Sequence, residues 1–367
     1  MNRARAVATL AAAAAAPRAA WAQAGAPYKI GVTFPLTGPF AINASEYLPA
    51  LEIARDEINA KGGVRGRQLA FVVEDTQATP QGGVSAFRKV VQVDGVQVVL
   101  SVYTNVVTAQ IPLADQLRIP NLSTIETPGV ATKGRYSFSH APQYSNIIPL
   151  ERDYWKAKRY RRIFLFIVNN ALGQVVSPLV RDAAAAAGAQ FDQAPFDLGQ
   201  TDYRGIIARA KEFGPDAILV QGGGGGDEGV LIKQLRELDM RQQLFTMANN
   251  FRARAWRDAV GPYTEGMILG GLNVDATTAP GFVHKFKARL GYIPGYQPAE
   301  FYDVLYMLAH AIRTAGYNAD GIRDAIAGLR DFPSVMGGKV SMADDHYTRP
   351  PLALWHVQRG ELVRIRV

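Results

Sequence analysis

Between Tyr28 and Asp75 the chain reads YKIGVTFPLTGPF, then, after a short gap, ALEIARDEINAKGG and VRGRQLAFVVED. Ile30, Val32 and Phe34 make a short apolar strand that stops at Pro35 and turns through Thr37-Gly38-Pro39. Tyr47, Leu51, Ala54 and Ile58 then recur at the spacing of a helix with one buried face. Gly62 and Gly63 end that helix, because its C-terminal cap needs a residue free to take positive φ. A second strand runs from Leu69 to Val73 and closes on Glu74 and Asp75. Strand, helix and strand joined by short connections form the unit of a parallel sheet, which restricts the chain to α/β architectures.

The same alternation persists. Strands are expected at Val96 to Ser101, within Arg118 to Ser123, and at Ile163 to Val168, Asp216 to Val220, Leu244 to Ala248 and Met267 to Gly270. Helices fill the gaps, the longest from about Pro298 to Thr314, and Pro178 is expected in an early helical turn or at a kink. At ~150 residues per domain, 367 residues make about two domains. The rhythm resets near His140-Ala141-Pro142, where the chain is expected to cross from one to the other.

Arg3 and Arg5, the apolar stretch Val7 to Ala16 and the small-x-small triplet Ala22-Gln23-Ala24 make residues 1–24 a cleavable export signal. Its ~10 apolar residues fall short of the ~20 that span a bilayer. The chain has no cysteine, which removes disulfides, thiolate chemistry and an N-terminal lipid anchor. The expected location is therefore the periplasm. Loss of Arg3, Arg5 and Arg18 with the signal lowers the formal charge from +8 to +5, too mild for a nucleic-acid partner.

In open parallel sheets ligands bind beyond the carboxyl ends of the strands. Those ends carry Pro35 to Phe40, Tyr103-Thr104-Asn105, Thr124 to Thr127, Asn169-Asn170, Gly222 to Gly226 and Asn249-Asn250. Hydroxyls and amides suit a small polar ligand, and N–H groups at the following helix starts suit its anionic group. Ser, Thr and Asn also cap helices routinely, so capping competes with binding at each position. Gly224-x-Gly226-x-x-Gly229 matches a dinucleotide fingerprint, but asparagines stand where the ribose-binding acid belongs and Asp227 and Glu228 repel a pyrophosphate. The basic run Trp155 to Arg162 is a docking surface or, more simply, a solvated helix end whose cations offset the dipole. The five histidines have no ligand spacing, and no Walker or GxSxG motif occurs. No metal, cofactor or catalytic residue is expected.

The strand, TGP turn and INAKGGVRGR helix resemble the leucine/isoleucine/valine-type periplasmic binding proteins of ABC transporters, as do TDYRGIIARAKEFGPDAILVQGG, YTEGMI and the tail from GGKVSMADDHY. The resemblance covers essentially the whole mature chain. It implies two Rossmann-like lobes with parallel sheets and a three-strand hinge, residues 27–141 plus 273–346 in one and 142–272 plus 347–367 in the other. It implies a monomer that captures a small organic acid or amino acid between the lobes and delivers it to an inner-membrane permease. The family's carboxylate-holding positions match Thr104, Asn105, Ser123 and Thr127. Asn170 and Gly224 face them from the second lobe, but the aromatic rings the family places near both are missing. The acid that pairs with a ligand ammonium in amino-acid binders is replaced here by Asn249 or Asn250, with Glu126 as a possible substitute. A neutral amide offsets a buried ammonium poorly, so organic acids, including aromatic carboxylates, rank level with or above branched-chain amino acids. The alternatives are an NAD-dependent enzyme and a ligand-sensing receptor domain on the same architecture. A regulator needs a helix-turn-helix and a receptor a membrane helix, and neither is read here.

Overall fold

The structure is a computed structural model that describes residues 25–38, 40–222, 226–247, 260–272, 274 and 277–365. The chain runs through β1 (Tyr28–Phe34), α1 (Ala41–Ala60), β2 (Leu69–Asp75), α2 (Pro80–Arg88), β3 (Val99–Ser101), α3 (Thr104–Leu117), β4 (Asn121–Ser123) and β5 (Ser137–Ser139). These strands form one parallel sheet in the order β2-β1-β3-β4-β5. It continues through α4 (Tyr144–Lys158), β6 (Arg162–Val168), α5 (Ala171–Ala186), β7 (Gln190–Phe196), α6 (Arg204–Phe213), β8 (Ala217–Gln221), α7 (Gly226–Glu237), β9 (Gln243–Thr246) and β10 (Ile268–Leu272). After α8 (Pro280–Leu290), α9 (Tyr296–Ala315), α10 (Ala319–Ala327) and the short pair β11 (Phe332–Pro333) and β12 (Lys339–Val340) come β13 (Leu352–Gln358) and β14 (Glu361–Arg364). The second sheet has the order β14-β13-β10-β9-β8-β6-β7, parallel except for β13 and β14.

Burial explains the strand sequences. Ile163 to Val168 of β6 are all buried, as expected of a parallel strand covered by helices on both faces. The stripe read in α1 is real: Tyr47, Leu51, Ala54 and Ile58 are buried against the first sheet. Gly63 ends that segment at φ +74°, where a Cβ would lie 2.1 Å from the Arg67 carbonyl oxygen. Pro178 lies in the interior of α5, not in its first turn. Its missing N–H therefore interrupts the helix ladder at mid-length.

Two cores result. Residues of β1 to β5 pack with side chains from Leu272 to Met342, chiefly α8, α9 and α10. Residues from Tyr144 to Leu269 pack with Ala353 to Val357 of β13. The chain passes from the first sheet to the second through residues 140–143, and Ser139 also bridges to Tyr347.

Candidate ligand cleft between the two sheets

Four strand ends converge on one cavity. From the first sheet come the residues after β3 and β4; from the second come those after β6 and β8. Thr104, Asn105, Glu126 and Asn170, all singled out from sequence, line it together. The open space between them is about 40 Å³. At ~10–15 Å³ per water on that scale it holds a few waters, so a ligand of amino-acid size enters only if the walls part.

The first wall is dense with hydrogen-bonding groups. Tyr103 carries φ +72°, outside the region a tyrosine prefers, at a cost of ~1–3 kcal/mol. The strain places its ring against Phe40, with centroids 4.5 Å apart, and its hydroxyl 2.5 Å from Asn43 Nδ2. Thr104 opens α3, and its hydroxyl lies 2.6 Å from that of Thr127. One of the two donates to the other, so the pair keeps one hydroxyl proton to spend elsewhere. Asn105 is already engaged, donating through Nδ2 to the Ala78 carbonyl at 2.7 Å. Thr124 lines the cavity with a buried hydroxyl that has no partner among the described residues. An unsatisfied buried hydroxyl costs ~1–3 kcal/mol, which a bound ligand can recover.

Two expected residues stand behind this wall. Ser123 donates to the Phe138 carbonyl at 3.0 Å and does not reach the cavity. Thr127 is fully buried, its carbonyl accepting from Tyr347, and it acts on the cavity through Thr104.

The second wall is mostly backbone and caps. The Asn170 side chain accepts from the Leu172 N–H at 2.9 Å and caps α5, the competing role foreseen for such residues. The Gly222 N–H donates to the Glu228 carboxylate, and a Cβ at Gly222 would sit 2.7 Å from Glu228 Cγ. The Gly222 N–H is thereby engaged within the chain rather than left for an anion. Gly224 and Asn249, the other expected ligand residues, lie outside the described residues, as does Asn250.

Glu126 joins the walls. The structure buries it. Its Oε2 lies 2.9 Å from the Tyr144 hydroxyl of α4, and its Oε1 lies 2.6 Å from the Tyr296 hydroxyl of α9. Burial raises its carboxyl to about 7, against the lowering effect of the two tyrosines. Among the described residues the cavity walls carry this one ionisable carboxyl and no cation. Phe40 and Thr124 lie in strand ends read from the sequence, though neither was singled out as a ligand residue; Tyr144 and Tyr296 were not anticipated. Tyr302 and Asp303 of α9 do not line the cavity: Tyr302 donates to Glu57, and Asp303 accepts from the Ser334 hydroxyl and the Val335 N–H.

Residues 27–361 match the family model of the periplasmic binding proteins. The chain belongs to the periplasmic binding protein family. It is 24% identical over 351 residues to Leu/Ile/Val-binding protein homolog 2 of Brucella abortus, covering 90% of this chain and 91% of that one. Its fold is similar to the leucine-binding protein LivK of Thermotoga maritima, with TM-score 0.84 and 20% identity over 92% of this chain and 97% of that one. It is equally similar to a solute-binding protein of an R. palustris ABC transporter in complex with benzoate, with TM-score 0.83 and 17% identity over 92% and 95%. The architecture is thus the two-lobed α/β fold of type I periplasmic binding proteins. Among the described residues no helix is long and apolar enough to cross a membrane, and no group of three or more His, Asp or Glu could hold a metal ion.

Proposed function

We propose that this protein is the periplasmic substrate-binding component of an ABC importer and that it captures a small carboxylate in the cleft. The observation that carries the reading is the first wall. The unpartnered Thr124 hydroxyl, the spare proton of the Thr104–Thr127 pair and the start of α3 converge beyond adjacent parallel strands. Donors with no described acceptor suit an anion at a helix N-terminus. The lobes are residues 27–141 plus 273–346 and 142–272 plus 347–367. They hinge together over the ligand, and the closed monomer then docks on a membrane permease.

The relatives support this reading from two sides, one named for leucine and one bound to benzoate. Phe40 and Tyr103 give the cavity an aromatic side. With no cation among the described walls, the ligand carboxylate is held by neutral donors. Because Asn249 or Asn250 stands where amino-acid binders of the family carry the acid for the ligand ammonium, we rank aromatic and other organic acids level with or above branched-chain amino acids. Residues 1–24 are the export signal. Micromolar affinity, ~8 kcal/mol, is within reach of such a clamp with an apolar pocket.

Calorimetric titration of the mature protein with benzoate and L-leucine side by side tests the ligand class. Benzoate binding the tighter supports the organic-acid reading. Strong leucine preference overturns the ranking, and binding of NAD(H) with neither acid overturns the transport reading.

A further inference from the structure

The hydrogen bonds around Glu126 can be followed group by group, and they close on themselves. The Met247 N–H can only donate, and it lies 3.1 Å from Gln221 Oε1. That fixes the Gln221 amide, whose Nε2 faces the Tyr144 hydroxyl at 3.2 Å. Tyr144 accepts there and spends its single proton on Glu126 Oε2, 2.9 Å away. At the other end the Met247 carbonyl can only accept, and the Tyr296 hydroxyl lies 2.6 Å from it. The same hydroxyl lies 2.6 Å from Glu126 Oε1. Tyr296 has one proton for these two described acceptors, and Met247 cannot supply another. If Tyr296 donates to Glu126, a tyrosine lone pair faces the carbonyl at 2.6 Å. All contacts are satisfied together when the hydrogen between Tyr296 and Glu126 belongs to Glu126.

We propose that Glu126 is protonated when the cleft is closed, completing a one-way ring of five hydrogen bonds across the two walls, so that closure takes up one proton from solvent. The ring runs from the Met247 N–H through Gln221, Tyr144, Glu126 and Tyr296 to the Met247 carbonyl. Tyr144 and Met247 belong to the core of the second sheet, and Tyr296 to the core of the first. Glu126 follows β4 of the first sheet. Parting the walls breaks the ring at Tyr144–Glu126 and at Tyr296–Met247 and opens Glu126 to water, where it ionises. The five residues are buried, so a contact left unsatisfied within the ring is costly.

The charged surroundings act in one direction. Glu300, one turn beyond Tyr296, is fully buried, and neither carboxylate oxygen has a hydrogen-bond partner among the described residues. Its charge opposes that of Glu126, and Asp303 opposes that of Glu300. Asp303 in turn lies 3.4 Å from His140 Nε2. Glu228 on α7 faces Tyr103 and Tyr144, and the phenols of Tyr47 and Tyr103 also face Glu126. None of these described neighbours is a lysine or arginine.

The closed-form carboxyl stands at about 7, above the ordinary 4.5. The stabilisation is therefore fully present below 4.5 and is lost as pH rises through 7. A second consequence rests on the cleft being the ligand site: with Glu126 neutral, a bound carboxylate meets no fixed charge from the described walls.

The ring is tested without ligand by thermal unfolding of the mature protein from pH 5 to 8.5. In Glu126→Gln the amide can accept from Tyr144 and donate to Tyr296 at every pH. The proposal expects this variant to melt near wild type at pH 5 and above it beyond pH 7. Tyr296→Phe should melt below wild type at pH 5, with the difference shrinking above pH 7. A Glu126→Gln variant that melts below wild type by the same margin at every pH overturns the ring. Carbon-13 spectra of glutamate-labelled protein give a direct reading. A carboxyl signal that titrates near 7 and vanishes in Glu126→Gln supports the proposal, and its titration near 4.5 refutes it. Calorimetry with benzoate and L-leucine then tests the coupling to closure. A probe that binds should bind roughly tenfold or more tighter at pH 5 than at pH 8, a dependence lost in Glu126→Gln. Tighter binding at high pH overturns the coupling and assigns Glu126 to a ligand ammonium. Binding of neither probe counts against the proposed transport function and leaves the unfolding and spectra to decide the ring.

Discussion

The two walls of the cleft are built from equivalent parts and do different work. Each is formed by residues just beyond the carboxyl ends of parallel strands. The wall after β3 and β4 keeps hydroxyl protons in reserve, at Thr124 and in the Thr104–Thr127 pair. On the wall after β6 and β8, the Asn170 side-chain oxygen and the Gly222 N–H are engaged within the wall itself. Equivalent topology therefore does not give equivalent chemistry. The first wall keeps uncommitted hydroxyl donors, whereas the described part of the second is organised to hold its own helices.

Substitutions should separate the two. The largest effect is expected at Thr104→Val, which keeps the shape and removes the hydroxyl. A hydrogen bond to a charged group is worth ~1.5–3 kcal/mol, so affinity for a bound carboxylate should fall roughly ten- to a hundredfold by calorimetry. Little change in affinity would show that the first wall is not the anion clamp. Gly222→Ala should be felt mainly in stability. Its Cβ would meet Glu228 Cγ at 2.7 Å and the Phe196 ring at 3.0 Å, and overpacking of this kind costs ~1–3 kcal/mol in urea unfolding. Asn170→Ala removes the α5 cap at ~1 kcal/mol of stability. An affinity loss larger than the stability loss would make Asn170 a ligand contact rather than a cap. The smallest effect is expected at Tyr103→Phe, which keeps the ring on Phe40 and loses the Asn43 hydrogen bond, ~0.5–1.5 kcal/mol.

The first βαβ unit could be read closely because its signals are local. The α1 stripe, the paired glycines and the strand ends at Phe34 and Asp75 each depend on neighbours a few residues away. Thr104, Asn105, Glu126 and Asn170 were legible for the same reason, since parallel topology alone places strand-end residues at the cleft. What each does there was not legible. Thr104 and Asn170 are both of the residue types that cap helix starts; only packing pairs one with the Thr127 hydroxyl at the cavity and turns the other back onto its helix. Ser123 was expected in the clamp and instead bonds to the neighbouring strand β5, a pairing set by sheet order. Pro178 was read as lying in an early turn or at a kink; it lies in the interior of α5, which rules out the first alternative, because a helix packed on a sheet can carry an interior proline.

Glu126 marks the limit most sharply. Its partners Tyr144 and Tyr296 lie 18 and 170 residues away along the chain, and no periodicity or motif ties the three together. By itself the sequence determined the alternation of strands and helices, the parallel sheets and which residues end each strand, because these follow from short-range sterics and apolar spacing. The tertiary structure alone decided which hydroxyls keep a free proton, which carboxylate is buried and what faces it. Those properties depend on desolvation and on groups brought together from distant parts of the chain.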